Sequence, residues 1–175
     1  MKRGLENIRD PLRRKYISLV LRGTEEEFGD SLISFAVYGS VARGDEERGS
    51  DTDVLLVLDV KLGYGERCRR LGRVLSRVYK SEVARELAEE GYNLFVEFYP
   101  LNLEEVSVFR PIYLDMVEDA VILRDIGGFL EGVLAKVSSL LERLGSRRLW
   151  IGSGEWIWIL KPDVKLGEEI FYELE

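Results

Sequence analysis

Two short apolar runs frame the chain. Ile33 to Tyr38 stops at Gly39, and Val54 to Leu58 resumes after a polar stretch ending in Gly49-Ser50-Asp51-Thr52-Asp53. Their length and flanking glycines predict two strands. A Gly-Ser turn, a short helix and a polar loop over 45–49 join them. Upstream, Leu12, Tyr16, Leu19 and Val20 recur at helical spacing behind Asp10-Pro11, an N-cap acid followed by the proline that a first turn tolerates. This predicts a helix that ends before Gly29 and covers the sheet. Residues 65–91, with Leu71, Val74, Leu75 and Val78 facing inward, predict one long or one broken helix closed by Gly91. Asn93 to Leu101 (NLFVEFYPL) is apolar on both faces, as an interior strand is.

Leu103 to Val108 predicts a short helix, and Pro111 begins another that ends near Asp119. Ala120 to Leu123 predicts a strand, with a turn over Asp125-Ile126-Gly127-Gly128. The clearest periodicity is the stripe Leu130, Val133, Leu134, Val137, Leu140, Leu141 and Leu144, closed by Gly145. It predicts a packing helix, set against the sheet or against a partner subunit. From Arg147 on, two apolar segments flank Gly152-Ser153-Gly154 and predict a hairpin. The fold class expected is α/β: a small mixed sheet with helices mainly on one face, the other side left open, and a C-terminal helix and hairpin appended. Residues 1–125 are expected to form the main domain, and 126–175 an extension packed on it.

Composition narrows the chemistry. The chain has 175 residues, 46% hydrophobic and 33% charged, in the range of globular proteins. Its net charge of −7 argues against a general nucleic-acid binder. No run of about twenty apolar residues occurs, and MKRGLENIRD lacks the apolar centre of a signal peptide, so a cytoplasmic location away from membranes is expected. Histidine is absent, which removes imidazole catalysis and leaves carboxylates to act. Cys68 is the only cysteine; it falls with Leu71, Leu75 and Val78 and is expected to be a small buried hydrophobe. Glutamine is missing and asparagine occurs only at 7, 93 and 102 among plentiful Lys, Arg and Glu, a balance expected of a thermophilic source. Arg67, Arg69, Arg70, Arg73, Arg77 and Lys80 make residues 65–91 the most basic part, as a solvated helix face or as a wall for a triphosphate or RNA. The tryptophans, 150, 156 and 158, all lie in the tail, where they stack on a base or cover a core edge.

The candidate chemistry gathers at the first two strands. Side chains repeat every two residues along a strand, so Asp51 and Asp53 face one side with Cα atoms about 6.5–7 Å apart. Two such acids are either solvated loop residues or ligands of a cation between them, and an oxygen-only set suits Mg²⁺. The turn ahead of them favours the second reading. Its amides and the start of a helix suit a phosphate, Gly39 lets a triphosphate approach the backbone, Ser40 offers a hydroxyl, and Arg43 a neutralising charge. Glu97 lies mid-strand among apolar residues and needs either an ion-pair partner or a metal. It is the candidate third ligand. Asp59 shares the parity of Asp53 but lies roughly 20 Å further along and is excluded. No GxxxxGK[ST] occurs, and no GxGxxG follows a strand.

Gly39-Ser40-Val41-Ala42-Arg43-Gly44, then Ser50-Asp51-Thr52-Asp53 and an apolar strand, resemble the motif of the DNA polymerase beta-like nucleotidyltransferase superfamily. The resemblance is to its minimal nucleotidyltransferases, including archaeal single-domain members. It implies a palm-like sheet and transfer of a nucleoside monophosphate from an NTP, expected to be ATP, to an acceptor hydroxyl. It further implies two metal ions, Mg²⁺ or Mn²⁺, held by Asp51, Asp53 and Glu97, with the triphosphate on Gly39, Ser40 and Arg43. Glu97 would also help activate the acceptor. The acceptor is a small molecule, an RNA or a partner protein. In the last case the chain is an antitoxin-type protein adenylyltransferase acting on a partner toxin. A non-catalytic nucleotide-binding protein that keeps the motif is the third reading, and assembly into a homo-oligomer is compatible with each.

Overall fold

In the computed structural model, β3 (Thr52–Leu58) explains the layering: Val54, Leu56 and Leu58 point to one face, Leu55 and Val57 to the other, and all five are buried. A strand apolar on both sides needs cover on both, so the helices divide between the two faces instead of lying mainly on one with the other left open. The structure describes residues 1–175 except Ser153, Glu173 and Glu175. Its sheet adds β1 (Lys2–Arg3), β2 (Leu32–Tyr38), β4 (Val96–Asn102) and β5 (Val121–Asp125) in the order β1-β5-β2-β3-β4. β2 runs antiparallel to β3 and β5, while β3–β4 and β1–β5 are parallel, so the sheet is mixed.

One face carries α1 (Pro11–Phe28), α3 (Tyr64–Val78) and α4 (Glu82–Glu89), whose Tyr16, Ile17, Val20, Leu71, Val74 and Leu87 pack on Val54 and Leu56. The second face carries α5 (Leu103–Val106), α6 (Ile112–Asp119) and α7 (Phe129–Leu144), which cover Ala36, Leu55, Val57 and Leu101 with Tyr113, Met116, Leu134 and Val137. The stripe of α7 thus finds its cover on the sheet. The hairpin, β6 (Arg147–Gly152) and β7 (Glu155–Ile159), joins this second layer through Trp158 and Leu160. Of its expected connection, Ser153 lies outside the described residues. Among the described residues, no helix is long and apolar enough to cross a membrane.

Local signals set most boundaries. Asp10 Oδ1 accepts the Arg13 amide at 2.7 Å, capping α1 where the Asp-Pro pair predicts it. Residues 65–91 form a broken helix, restarted where Ser81 Oγ accepts the Ala84 amide at 3.1 Å. β4 begins three residues later than its apolar run, because Asn93 Oδ1 takes the Phe95 amide at 2.9 Å and turns that segment. β5 runs on to Asp125, whose carboxylate accepts the amides of Leu130 and Glu131 at the start of α7. Cys68 differs from expectation and is only half-buried. The buried stripe of α3 is 67, 71, 74, 78, so Arg67 occupies the inner position and Cys68 is turned about 100° away from it.

Candidate active site

Along the second face of the sheet, β3 presents Val57, then Leu55, and toward its start Asp53, so one face passes from apolar to acidic. Helices α5 to α7 cover the apolar end. At the other end Asp51, just ahead of β3, and Asp53 are half-buried, and Glu97 is exposed. Asp53 and Glu97 are direct partners in the parallel β3–β4 ladder. Paired residues there share a face on strands about 4.8 Å apart, which makes these acids neighbours.

Their proximity has an electrostatic cost. The Asp53 carboxyl is pushed up to about 6, first by burial, then by the charges of Asp51 and Glu97, with Arg43 pulling the other way. Tyr38, the ladder partner of Asp53 on β2, has its hydroxyl raised by burial, then by Asp53 and Glu97. The turn packs directly on this group. Gly39 has φ of 70°, and a Cβ there would lie 2.1 Å from Asp53 Oδ2. Only glycine lets the chain pass so close to the acid.

Gly39 opens α2 (Gly39–Arg43), and Ser40 is its second residue, half-buried, with its carbonyl accepting the amides of Gly44 and Asp45. Arg43 closes the helix. Its Nε donates to Asp45 Oδ2 at 3.0 Å, and its guanidinium lies over the Trp156 ring, Cζ to centroid 4.6 Å. The structure therefore brings Gly39, Arg43, Asp51, Asp53 and Glu97 to one end of one face. Asp59 follows the far end of β3, apart from them.

Sequence reasoning passed over two contributors. Arg13 is fully buried, and its guanidinium donates to Thr52 Oγ1 at 3.0 Å and Ser50 O at 3.1 Å, on either side of Asp51. Tyr92, 5.3 Å beneath the same guanidinium, donates its hydroxyl to Asp10 Oδ2 at 2.8 Å. The available signal was spacing: Arg13 lies on the buried stripe of Tyr16, Ile17, Val20 and Thr24. Trp156 is the second, and no local pattern ties it to Arg43.

The donor set fits a hard divalent cation. Three carboxylates supply oxygen alone, and a cation would relieve the repulsion that raises Asp53. Among the described residues, no three acids are gathered closely enough to hold a metal ion between them.

A family model described as "Nucleotidyltransferase domain" matches residues 17–117, more than half of the chain. The chain belongs to this nucleotidyltransferase family. The matched span runs from α1 into α6 and contains Gly39, Ser40, Arg43, Asp51, Asp53 and Glu97, while β5, α7 and the hairpin lie beyond it. Members of the family usually use divalent metals. No curated protein sequence matches the chain. Among solved structures, a toxin-antitoxin with AMP-PNP aligns over 74% of this chain and 87% of its own, at 20% identity and a TM-score of 0.43. The toxin-antitoxin MntA-HepT aligns over 76% and 86%, at 17% identity and a TM-score of 0.38. Both likenesses are distant.

Proposed function

We propose that this nucleotidyltransferase moves a nucleoside monophosphate from an NTP, with ATP the expected donor, to an acceptor hydroxyl, and that Asp51, Asp53 and Glu97 hold the divalent cations it uses. The observation that carries the reading is the Asp53–Glu97 ladder pair, with Asp51 near enough for its charge to raise the Asp53 carboxyl and Gly39 packed against that carboxylate. Residues 1–125 form the transferring unit in this proposal, and 126–175 its extension.

Each residue then has a defined task. The turn at Gly39 lets the triphosphate lie close to the main chain, and the Ser40 hydroxyl donates to a phosphate oxygen. Arg43 trades its ion pair with Asp45 for the phosphates and offsets their charge. When bound, Mg²⁺ or Mn²⁺ supplies charge neutralisation for the acids and the phosphate oxygens together. Glu97 is the exposed member of the three and, facing solvent, accepts the proton of the attacking hydroxyl. The acceptor oxygen bonds to the α-phosphorus, the bond to the α,β-bridging oxygen breaks, and pyrophosphate leaves. Positioning carries most of the work in such a transfer.

Label transfer from ATP carrying a radioactive α-phosphate, with Mg²⁺, in an extract of the source organism tests this. The wild type should label an acceptor, and the Asp51→Ala, Asp53→Ala double variant should lose at least about two orders of magnitude of the rate. Protease or nuclease sensitivity of the product separates protein from RNA. Equal labelling by wild type and variant would refute the assignment, and absence of labelling with all four nucleotides would leave a binding protein.

A further inference from the structure

The C-terminal hairpin reaches the side of the site that holds Arg43. Trp156 Nε1 donates to Asp115 Oδ1 on α6 at 2.8 Å, and Trp158 Nε1 donates to the same oxygen at 2.9 Å. This shared acceptor fixes the edge of the Trp156 ring. Over that ring lie two guanidinium groups, Arg43 with Cζ 4.6 Å and Arg148 with Cζ 4.0 Å from the centroid. Arg148 is itself tied to Asp119 Oδ2 at 2.8 Å and lies 4.9 Å from the Trp150 ring. The series Arg43, Trp156, Arg148, Trp150 thus runs from the Gly-Ser turn into the hairpin, and Arg43 is left with only 18% of its side chain exposed. Beside it opens a shallow cleft of about 410 Å³ lined by Arg43, Ile151, Gly154, Glu155 and Trp156.

We propose that Trp156 is a positioning residue for Arg43, through which the C-terminal hairpin presents that guanidinium to the β- and γ-phosphates of the nucleotide. The inference rests on the reading above, in which Arg43 binds the triphosphate. A free surface arginine carries rotamer entropy, part of which is lost when it engages a ligand. An arginine laid over an indole has lost part of that freedom beforehand, and of the Arg43 N–H groups Nε is held by Asp45. Ordering in advance is a recognised source of affinity. The ligand class is a polyphosphate, because two guanidinium groups already lie against the Trp156 ring and Arg43 lines the cleft. The extension beyond the family's matched span therefore completes the phosphate site.

The test is calorimetric binding to the full chain, with Mg²⁺, of two probes: α,β-methylene-ATP, which cannot transfer, and inorganic tripolyphosphate, which has no base. Trp156→Leu should weaken both probes about three- to tenfold, the range expected of a cation–π contact, and Trp156→Phe should recover most of the loss. In an Arg43→Gln background, Trp156→Leu should add nothing, because its partner is gone. Wild-type affinity in Trp156→Leu overturns the inference while leaving the reading of the site intact. So does a loss confined to α,β-methylene-ATP, which would make Trp156 a base contact, and so does an undiminished effect in the Arg43→Gln background. A wild-type chain that binds neither probe overturns the inference and the reading of the site together.

Discussion

Asp53 holds its charge against its surroundings, with its carboxyl raised to about 6 by burial and by Asp51 and Glu97. Its unfolded value is near 4, so between these values the folded chain binds more protons than the unfolded one. Stability is then fully present below about pH 4 and is lost as pH rises through about 6. The loss is on the order of 1–2 kcal/mol once solvent screening of a half-buried group is allowed for. In EDTA, the melting midpoint of the wild type should fall across this window, and Asp53→Asn should remove the fall and be the more stable protein at neutral pH. Mg²⁺ should raise the wild-type midpoint at neutral pH and raise that of Asp53→Asn less. A wild-type profile with no slope between about pH 4 and 7 would contradict the crowding of the three acids.

At the scale of elements, the buried Arg13 ties α1 to the loop that delivers Asp51, through Thr52 Oγ1 and Ser50 O. A lysine keeps the charge but replaces the planar fork by a point, so it cannot hold both acceptors. Arg13→Lys should destabilise the fold by about 2–3 kcal/mol, speed amide exchange over residues 46–51, and weaken Mn²⁺ binding measured by electron paramagnetic resonance. Unchanged exchange in that loop would exclude the clamp. Arg13 also marks how far the sequence could be read. α1, β2, β3 and α7 were legible because caps, glycines and apolar period agree locally. The two-residue β1 has no period to detect, and the late start of β4 depends on an asparagine side chain bonding its own main chain. Gly39, Ser40, Arg43, Asp51 and Asp53 lie within one short stretch, so spacing alone proposed them as a group. The Glu97 pairing needed the β3–β4 register, and the buried Arg13 and Arg67 needed partners that only the tertiary fold supplies.

Across the whole molecule, the arginines of α3 find acids within the chain. Arg67 donates to both oxygens of Glu105, Arg69 and Arg70 pair with Glu66, and Arg73 and Arg77 both reach Glu27 of α1, at 3.1 and 3.5 Å. Arg73 and Arg77 thus form a seam between α3 and α1, while Arg67 ties α3 to α5 and Arg69 and Arg70 pair within α3, which favours the structural reading of the basic stripe over an RNA wall. Glu27 is the centre of that seam, with its side chain 15% exposed. Arg124 adds a pair to Glu25 at 3.0 Å, tying β5 to the same helix. Networks of this kind gain weight as temperature rises, because the hydration lost on pairing becomes less favourable. With few amides to degrade, the wild type is expected to melt above about 65 °C, beyond the range where mesophilic domains cluster. Glu27→Gln removes the shared anion from two arginines at once and should lower the midpoint by about 2–4 °C, the shift of roughly 1 kcal/mol in a chain of this size. The same loss should shrink in 1 M salt, where the Debye length is about 3 Å. A wild-type midpoint near 50 °C, within the mesophilic range, would refute the thermophilic expectation. A Glu27→Gln variant indistinguishable from wild type at low salt would show that the seam is held by Leu71, Val74 and Val78 against Tyr16, Ile17 and Val20 alone.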